Sequence, residues 1–268
     1  VKCTSEHTEE SFEILSDLFC NSVYPKDELE KERGVIIEEI NMSEDSPDDL
    51  CLDLLAKSYF GEGGFGSTIL GSYENVSRFS REEIAAYKAK FYKPSNIVVS
   101  FAGNITAEQA FSLVEKYMPT DGEREAVDFP KINTKCLCGR LAADKAIEQN
   151  HIAIGIPGVK ITSDDRVALI CLNAVLGGGM SSRLFQSVRE KQGLAYAVYS
   201  YLSCYKDLGV ICVYAGVNPQ KRKTSYDCLI SEIRNFAESG ITANELARVK
   251  EQIKGSTVLS RENMASIM

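Results

Sequence analysis

The strongest constraint on the fold is an internal repeat. An apolar-periodic stretch from Ser11 to Asn21, a turn, and a helical pattern opened by Glu28-Leu29 occur in the first half. The second half has the same order, with Ser225 to Glu238, a Ser-Gly turn, and a pattern opened by Glu245-Leu246. At 268 residues the chain is long enough for two domains that each bury a core. The expected boundaries are 1–118 and 148–268, joined by a linker over 119–147 in which Pro119, Asp121-Gly122 and Pro130 stand among charges.

The repeat isolates two acids. Glu32 and Glu39 lie seven residues apart in the stretch Lys31 to Ile40. Seven positions fall about 20° short of two helical turns, so both carboxylates share a face, with Cα atoms roughly 10 Å apart. That separation excludes twin ligands to one ion, but one could hold a metal while the other tunes it from behind. A solvated acidic stripe gives the same pattern, since Glu is a good helix former. Laying Glu28 on Glu245 puts Val249 and Ser256 where the first copy has Glu32 and Glu39. The architecture therefore does not require acids there.

Local signals place the remaining elements. Thr8 is a candidate cap for the first helix and Asp27 for the second, with Pro25 at the break between them; Ser46-Pro47 starts a third. Ser80 with Glu83, Thr106 with Gln109 and Thr242 with Glu245 have the capping-box spacing. Ile97 to Gly103 and Ile152 to Ile156 read as buried strands, and 194–203 and 208–216 as a strand pair. Gly61 to Gly66 is a flexible loop without the Gly-Lys-Ser/Thr of a phosphate-binding loop. Gly177-Gly178-Gly179 turns sharply into a helix from Leu184 to Lys191.

Composition narrows the function. A net charge of -8 argues against a nucleic-acid surface, and no apolar run reaches the length of a membrane helix. Nine cysteines scattered through apolar segments fit buried thiols in a reducing compartment, and the expected location is cytoplasmic. The histidines are His7 and His151, and neither belongs to a His-x-x-Glu-His or His-Glu-x-x-His pair. Zinc held by Glu39 would need two or three further ligands. Val1 and Met268 both fall inside patterns that read as interrupted, which suggests an internal piece of a longer protein.

A second constellation is Ser187 to Tyr196. Arg189 near a helix end and Tyr196 on the following strand could together bind a peptide carbonyl or carboxylate. A surface Arg and a half-buried strand Tyr are the plain alternative.

Glu30 to Ile40, Gly66-Ser67-Thr68-Ile69-Leu70-Gly71, Gly177 to Phe185, and Arg189 to Tyr196 together resemble the pitrilysin and mitochondrial-processing-peptidase family of zinc metallopeptidases. The resemblance implies an α+β fold of two homologous domains, each a mainly antiparallel sheet with helices on one face, enclosing a peptide chamber. It implies that Glu39 is the third zinc ligand, Glu32 a supporting acid, and Arg189 and Tyr196 holders of the substrate backbone. The His-x-x-Glu-His segment that carries the other ligands and the general base would precede Val1. The implied activity is zinc-dependent endoproteolysis of unfolded peptides or presequences, with this piece alone inactive and without bound zinc. A non-catalytic core or partner subunit of the same fold is the alternative, and a homodimer or paired homologous subunit is the expected assembly.

Overall fold

A computed structural model describes residues 1–119 and 136–268. It divides into two compact units. One gathers the described residues within Val1–Glu38, Ser72–Lys131 and Ser256–Met268, the other those within Glu39–Gly71 and Ile132–Gly255. The linker expected at 119–147 falls largely outside the described residues, and from Cys136 to Ile147 the chain is irregular.

In the first unit, helix α1 (Thr8–Cys20) packs on α6 (Ala107–Tyr117). Phe12 is the buried centre, its ring 5.0 Å from Phe101 and 6.4 Å from Tyr117. Helix α2 (Lys26–Asp45), of which the residues up to Glu38 belong to this unit, begins directly after Pro25, so Asp27 lies in its first turn rather than at its cap. Likewise His7, not Thr8, is the N-cap of α1, and Thr8 donates to Ser5 O instead. Helices α4 (Tyr73–Arg78), α5 (Arg81–Phe91) and α6 complete this unit, with full capping boxes at Ser80/Glu83 and Thr106/Gln109 as the sequence predicts. The strand expected at Ile97 to Gly103 is corrected. Ile97 is extended, but no described residue pairs with the segment, and Val98 is 90% exposed. Alternation in sequence supplies extended backbone, whereas a strand also needs ladder partners.

The second unit is an α+β layer. Strands β1 (Asn150–Pro157), β2 (Ala195–Cys204) and β3 (Gly209–Val217) form an antiparallel sheet in the order β1-β3-β2. The register sets Ile154 opposite Val213 and Ala215 opposite Val198, so one face is mostly apolar, with the buried Ser200 opposite Val213 as a polar member. That face buries Val198, Val213, Ala215 and Val217 against Leu176 of α7 (Arg166–Gly177), Leu184, Val188 and Leu229 of α8 (Arg222–Ser239). Truncating any fully buried Leu here would cost about 2–5 kcal/mol. The opposite face takes α3 (Pro47–Phe60) at β1, where Gly155 leaves room for Tyr59 and Leu55. Helix α9 (Ala243–Ser260) packs Val249 on Cys171 and Val175. No helix among the described residues is long and apolar enough to cross a membrane.

Candidate functional site

Helix α2 carries both sequence-singled carboxylates in solvent. Leu29, Arg33, Ile36, Ile37 and Ile40 form its inward seam, while Glu32 and Glu39 are exposed and take no hydrogen bond or ion pair from the described residues. Ile40 alone on this helix is fully buried. Arg33 is the odd member of the seam: its side chain is 16% exposed, donates to Val76 O, and donates to Phe79 O at 2.8 Å. Its outer edge meets Glu30 at 3.1 Å, and that guanidinium holds the Glu30 carboxyl below the usual range.

Zinc in catalytic sites takes three protein ligands. Glu39 is an accessible, unpaired oxygen donor and fits one corner of such a site. Among the described residues, however, no three His, Cys, Asp or Glu side chains gather at a point, so these residues do not complete the site.

The structure brings Arg189 and Tyr196 together. Phe185–Lys191 is a π-helical turn rather than the α-helix expected from Leu184 to Lys191, and a π turn carries one extra residue. The guanidinium carbon of Arg189 lies 4.7 Å from the Phe185 ring centre and 5.6 Å from that of Tyr196. Both spacings suit cation–π contact. The pairing of Ala195 with Val217 and of Ala197 with Gly216 leaves Tyr196 as the extra residue of a β-bulge. Bulges re-aim a side chain, and Tyr196 is 76% exposed although the flanking Ala195 is buried and Ala197 half-buried. Arg189 has no carboxylate or carbonyl acceptor among the described residues, so its N–H groups are open to a ligand.

The base under this pair is firm. Leu184, Val188 and Leu194 are buried, and Ser187 donates to Glu232 at 2.8 Å, tying the π turn to α8. Arg183 enters the turn fully bonded, to Glu245, Ser239 and Gly240 O. Sequence reasoning missed Phe185, which the i, i+4 spacing to Arg189 could have flagged. His151, which belongs to no zinc-binding pair in the sequence, is half-buried with Nδ1 2.6 Å from the Tyr214 hydroxyl.

Two family descriptions cover most of the chain. "Insulinase (Peptidase family M16)" matches residues 1–72, and "Peptidase M16 inactive domain" matches residues 78–253. The chain belongs to peptidase family M16. It is 38% identical over its whole length to an uncharacterized zinc protease, YmxG, of Bacillus subtilis, covering 65% of that protein. Against an uncharacterized zinc protease of Streptomyces coelicolor it is 36% identical, over 96% of this chain and 58% of the relative. The chain thus spans somewhat less than two thirds of these curated relatives. A solved protease from Helicobacter pylori superposes with a TM-score of 0.89 at 20% identity, over 99% of this chain and 66% of that one. A peptidase M16 inactive domain from Pseudomonas fluorescens superposes at 0.82 and 20% identity, over 94% and 62%. These two likenesses establish the M16 fold.

Proposed function

We propose that this chain is part of a zinc metalloendopeptidase that takes unfolded peptides, with Glu39 as one zinc ligand, Glu32 as a supporting acid behind it, and Arg189 with Tyr196 as holders of substrate backbone. The observation that carries the reading is the open guanidinium of Arg189, fixed between Phe185 and an exposed Tyr196 in a chain of family M16. A guanidinium so held presents a planar donor fork to a carbonyl or carboxylate, and the phenol adds a donor and acceptor beside it. Zinc, when bound, would polarise the scissile carbonyl and lower the pKa of a water. The remaining ligands and the base would come from a His-x-x-Glu-His segment outside residues 1–268. Residues 1–118 and 148–268 are proposed to be homologous domains.

The name "inactive domain" over residues 78–253 fits a division in which metal chemistry belongs to the first half and substrate holding to the second. It also supports the second reading, a non-catalytic core or partner subunit. The test uses the protein at the length of its relatives. In the peptidase reading, Glu39→Gln lowers bound zinc and abolishes cleavage of an unfolded peptide. Full zinc content and full cleavage in Glu39→Gln would remove the ligand assignment, and a wild-type protein that binds no zinc would favour the non-catalytic subunit.

A further inference from the structure

Helix α2 is poorly held by apolar packing. Along its 20 residues only Ile40 is fully buried, and the middle of the inward seam, where a Leu or Ile would be expected, is Arg33. Beside its pair with the Glu30 carboxylate, two backbone oxygens take its guanidinium, Val76 O in the last turn of α4 and Phe79 O at the α4 C-cap, the latter at 2.8 Å. Such carbonyls have no partner within their own helix and carry the negative end of its dipole, so a cation there is favourable. The same junction reaches back. Arg81, two residues past Phe79, donates to Val23 O at 2.9 Å and to Tyr24 O at 3.0 Å, in the turn that feeds α2. Tyr24 has φ of 48°, a left-handed conformation that a bulky residue keeps only when its surroundings impose it. Residues Val76 to Arg81 and the entry to α2 are therefore bonded in both directions, and these polar bonds act beside the half-buried Leu29, Ile36 and Ile37 in holding the inward seam of α2.

Rotation decides where the carboxylates point. At about 100° per residue, Glu32 and Glu39 both lie about 100–120° around the helix from Arg33 and within about 20° of one another. A carboxylate roughly 6 Å from the helix axis moves about 2 Å when the helix turns by about 20°, whereas metal–ligand distances tolerate about 0.2 Å. We infer that Arg33 is a positioning residue for the carboxylate helix, acting through Val76 O and Phe79 O to aim Glu39 and Glu32. This rests on the reading of Glu39 as a zinc ligand.

The test measures zinc affinity by competition with a chelator, kcat, KM and thermal midpoint in the protein at the length of its relatives. Variants are Arg33→Met, which keeps the length and loses the bonds to Val76 O and Phe79 O along with the Glu30 pair, Arg33→Lys, which keeps the charge without the two-pronged fork, and Glu39→Gln. The expected result for Arg33→Met is a loss of zinc affinity of about 10- to 100-fold, with kcat falling and KM changing by less than about twofold. Arg33→Lys should fall between it and the wild type, and it serves alone if Arg33→Met does not fold. A lowered thermal midpoint with zinc affinity and kcat unchanged in the folded Arg33 variants would overturn the inference, because Arg33 would then hold the fold only. Loss of zinc in Glu39→Gln together with unchanged zinc in both Arg33 variants overturns the inference alone. Retention of zinc in Glu39→Gln overturns the ligand reading and this inference with it.

Discussion

Arg183 and Glu245 meet as parallel forks, Nε to Oε1 at 2.7 Å and Nη2 to Oε2 at 2.8 Å. The same glutamate closes the capping box of α9, accepting from Thr242 N at 2.7 Å, and Arg183 also bonds Gly240 O and lies over the Phe236 ring. The pair therefore ties the entry of the π turn to the α8–α9 corner.

That geometry sets a pH dependence. The Arg183 guanidinium holds the Glu245 carboxyl down to about 2 from an ordinary 4.5. A carboxylate depressed in the folded state stabilises fully above its unfolded value and loses that contribution as pH falls toward the folded one. Glu245→Gln should therefore cost about 2 kcal/mol at pH 7, the scale of a charged hydrogen bond in a partly buried pair. The difference from wild type should narrow between about pH 4.5 and pH 2. Denaturant titrations of both proteins across that range check it, and a gap that stays constant down to pH 2 would rule out the linkage.

The three glycines at the end of α7, Gly177 to Gly179, are not equivalent. A Cβ on Gly177 would collide with both the backbone N and the Oγ of Ser200, on β2, while one on Gly179 would meet only the end of the Gln252 side chain at 3.8 Å. Gly177→Ala should destabilise by about 1–3 kcal/mol or more through overpacking. Gly179→Ala should stay within about 0.5 kcal/mol. Thermal unfolding of the two variants gives the comparison, and equal midpoints would contradict the close approach of α7 to β2.

Thiol reactivity follows burial. Burial pushes Cys51 and Cys212 up to about 11, so at pH 8 almost none of either is thiolate. Cys3, Cys136 and Cys138 are exposed. Brief iodoacetamide treatment at pH 8 followed by peptide mass mapping should label the exposed three and spare Cys51 and Cys212 until the protein is denatured. Rapid native labelling of Cys212 would mean that the β3 face is open.

Signals confined to a few residues were legible. The three capping boxes stand where the spacing put them, because a cap is decided by one side chain and the backbone three residues away. The pairing of Arg189 with Tyr196 was also legible, from a helix end followed at once by a strand. What failed depends on distant partners. Ile97 to Gly103 has the composition of a strand and no ladder among the described residues, and the bulge at Tyr196 exists only in register with Val217 and Gly216. Nothing in the local sequence sets Arg33 apart, since its acceptors, Val76 O and Phe79 O, are backbone atoms more than forty residues away.

The substrate-holding reading separates Arg189 from Glu39 by measurement. Arg189→Ala removes an open guanidinium resting on Phe185 and Tyr196, on a turn already anchored by Leu184, Val188 and the Ser187–Glu232 bond. The π turn should survive, and bound zinc in the protein at the length of its relatives should be unchanged. Peptide turnover should fall about 10- to 100-fold in kcat/KM, the scale of one lost charged hydrogen bond to substrate. Tyr196→Phe keeps the ring against Arg189 and loses only the hydroxyl, so its loss should be smaller, while Tyr196→Ala also removes the ring that orients the guanidinium and should approach Arg189→Ala. In this reading both residues act on one backbone segment, so the double variant should cost less than the sum of the two singles. Strict additivity would mean that Arg189 and Tyr196 meet the peptide independently, and loss of zinc in Arg189→Ala would mean that this residue holds the fold instead of the substrate.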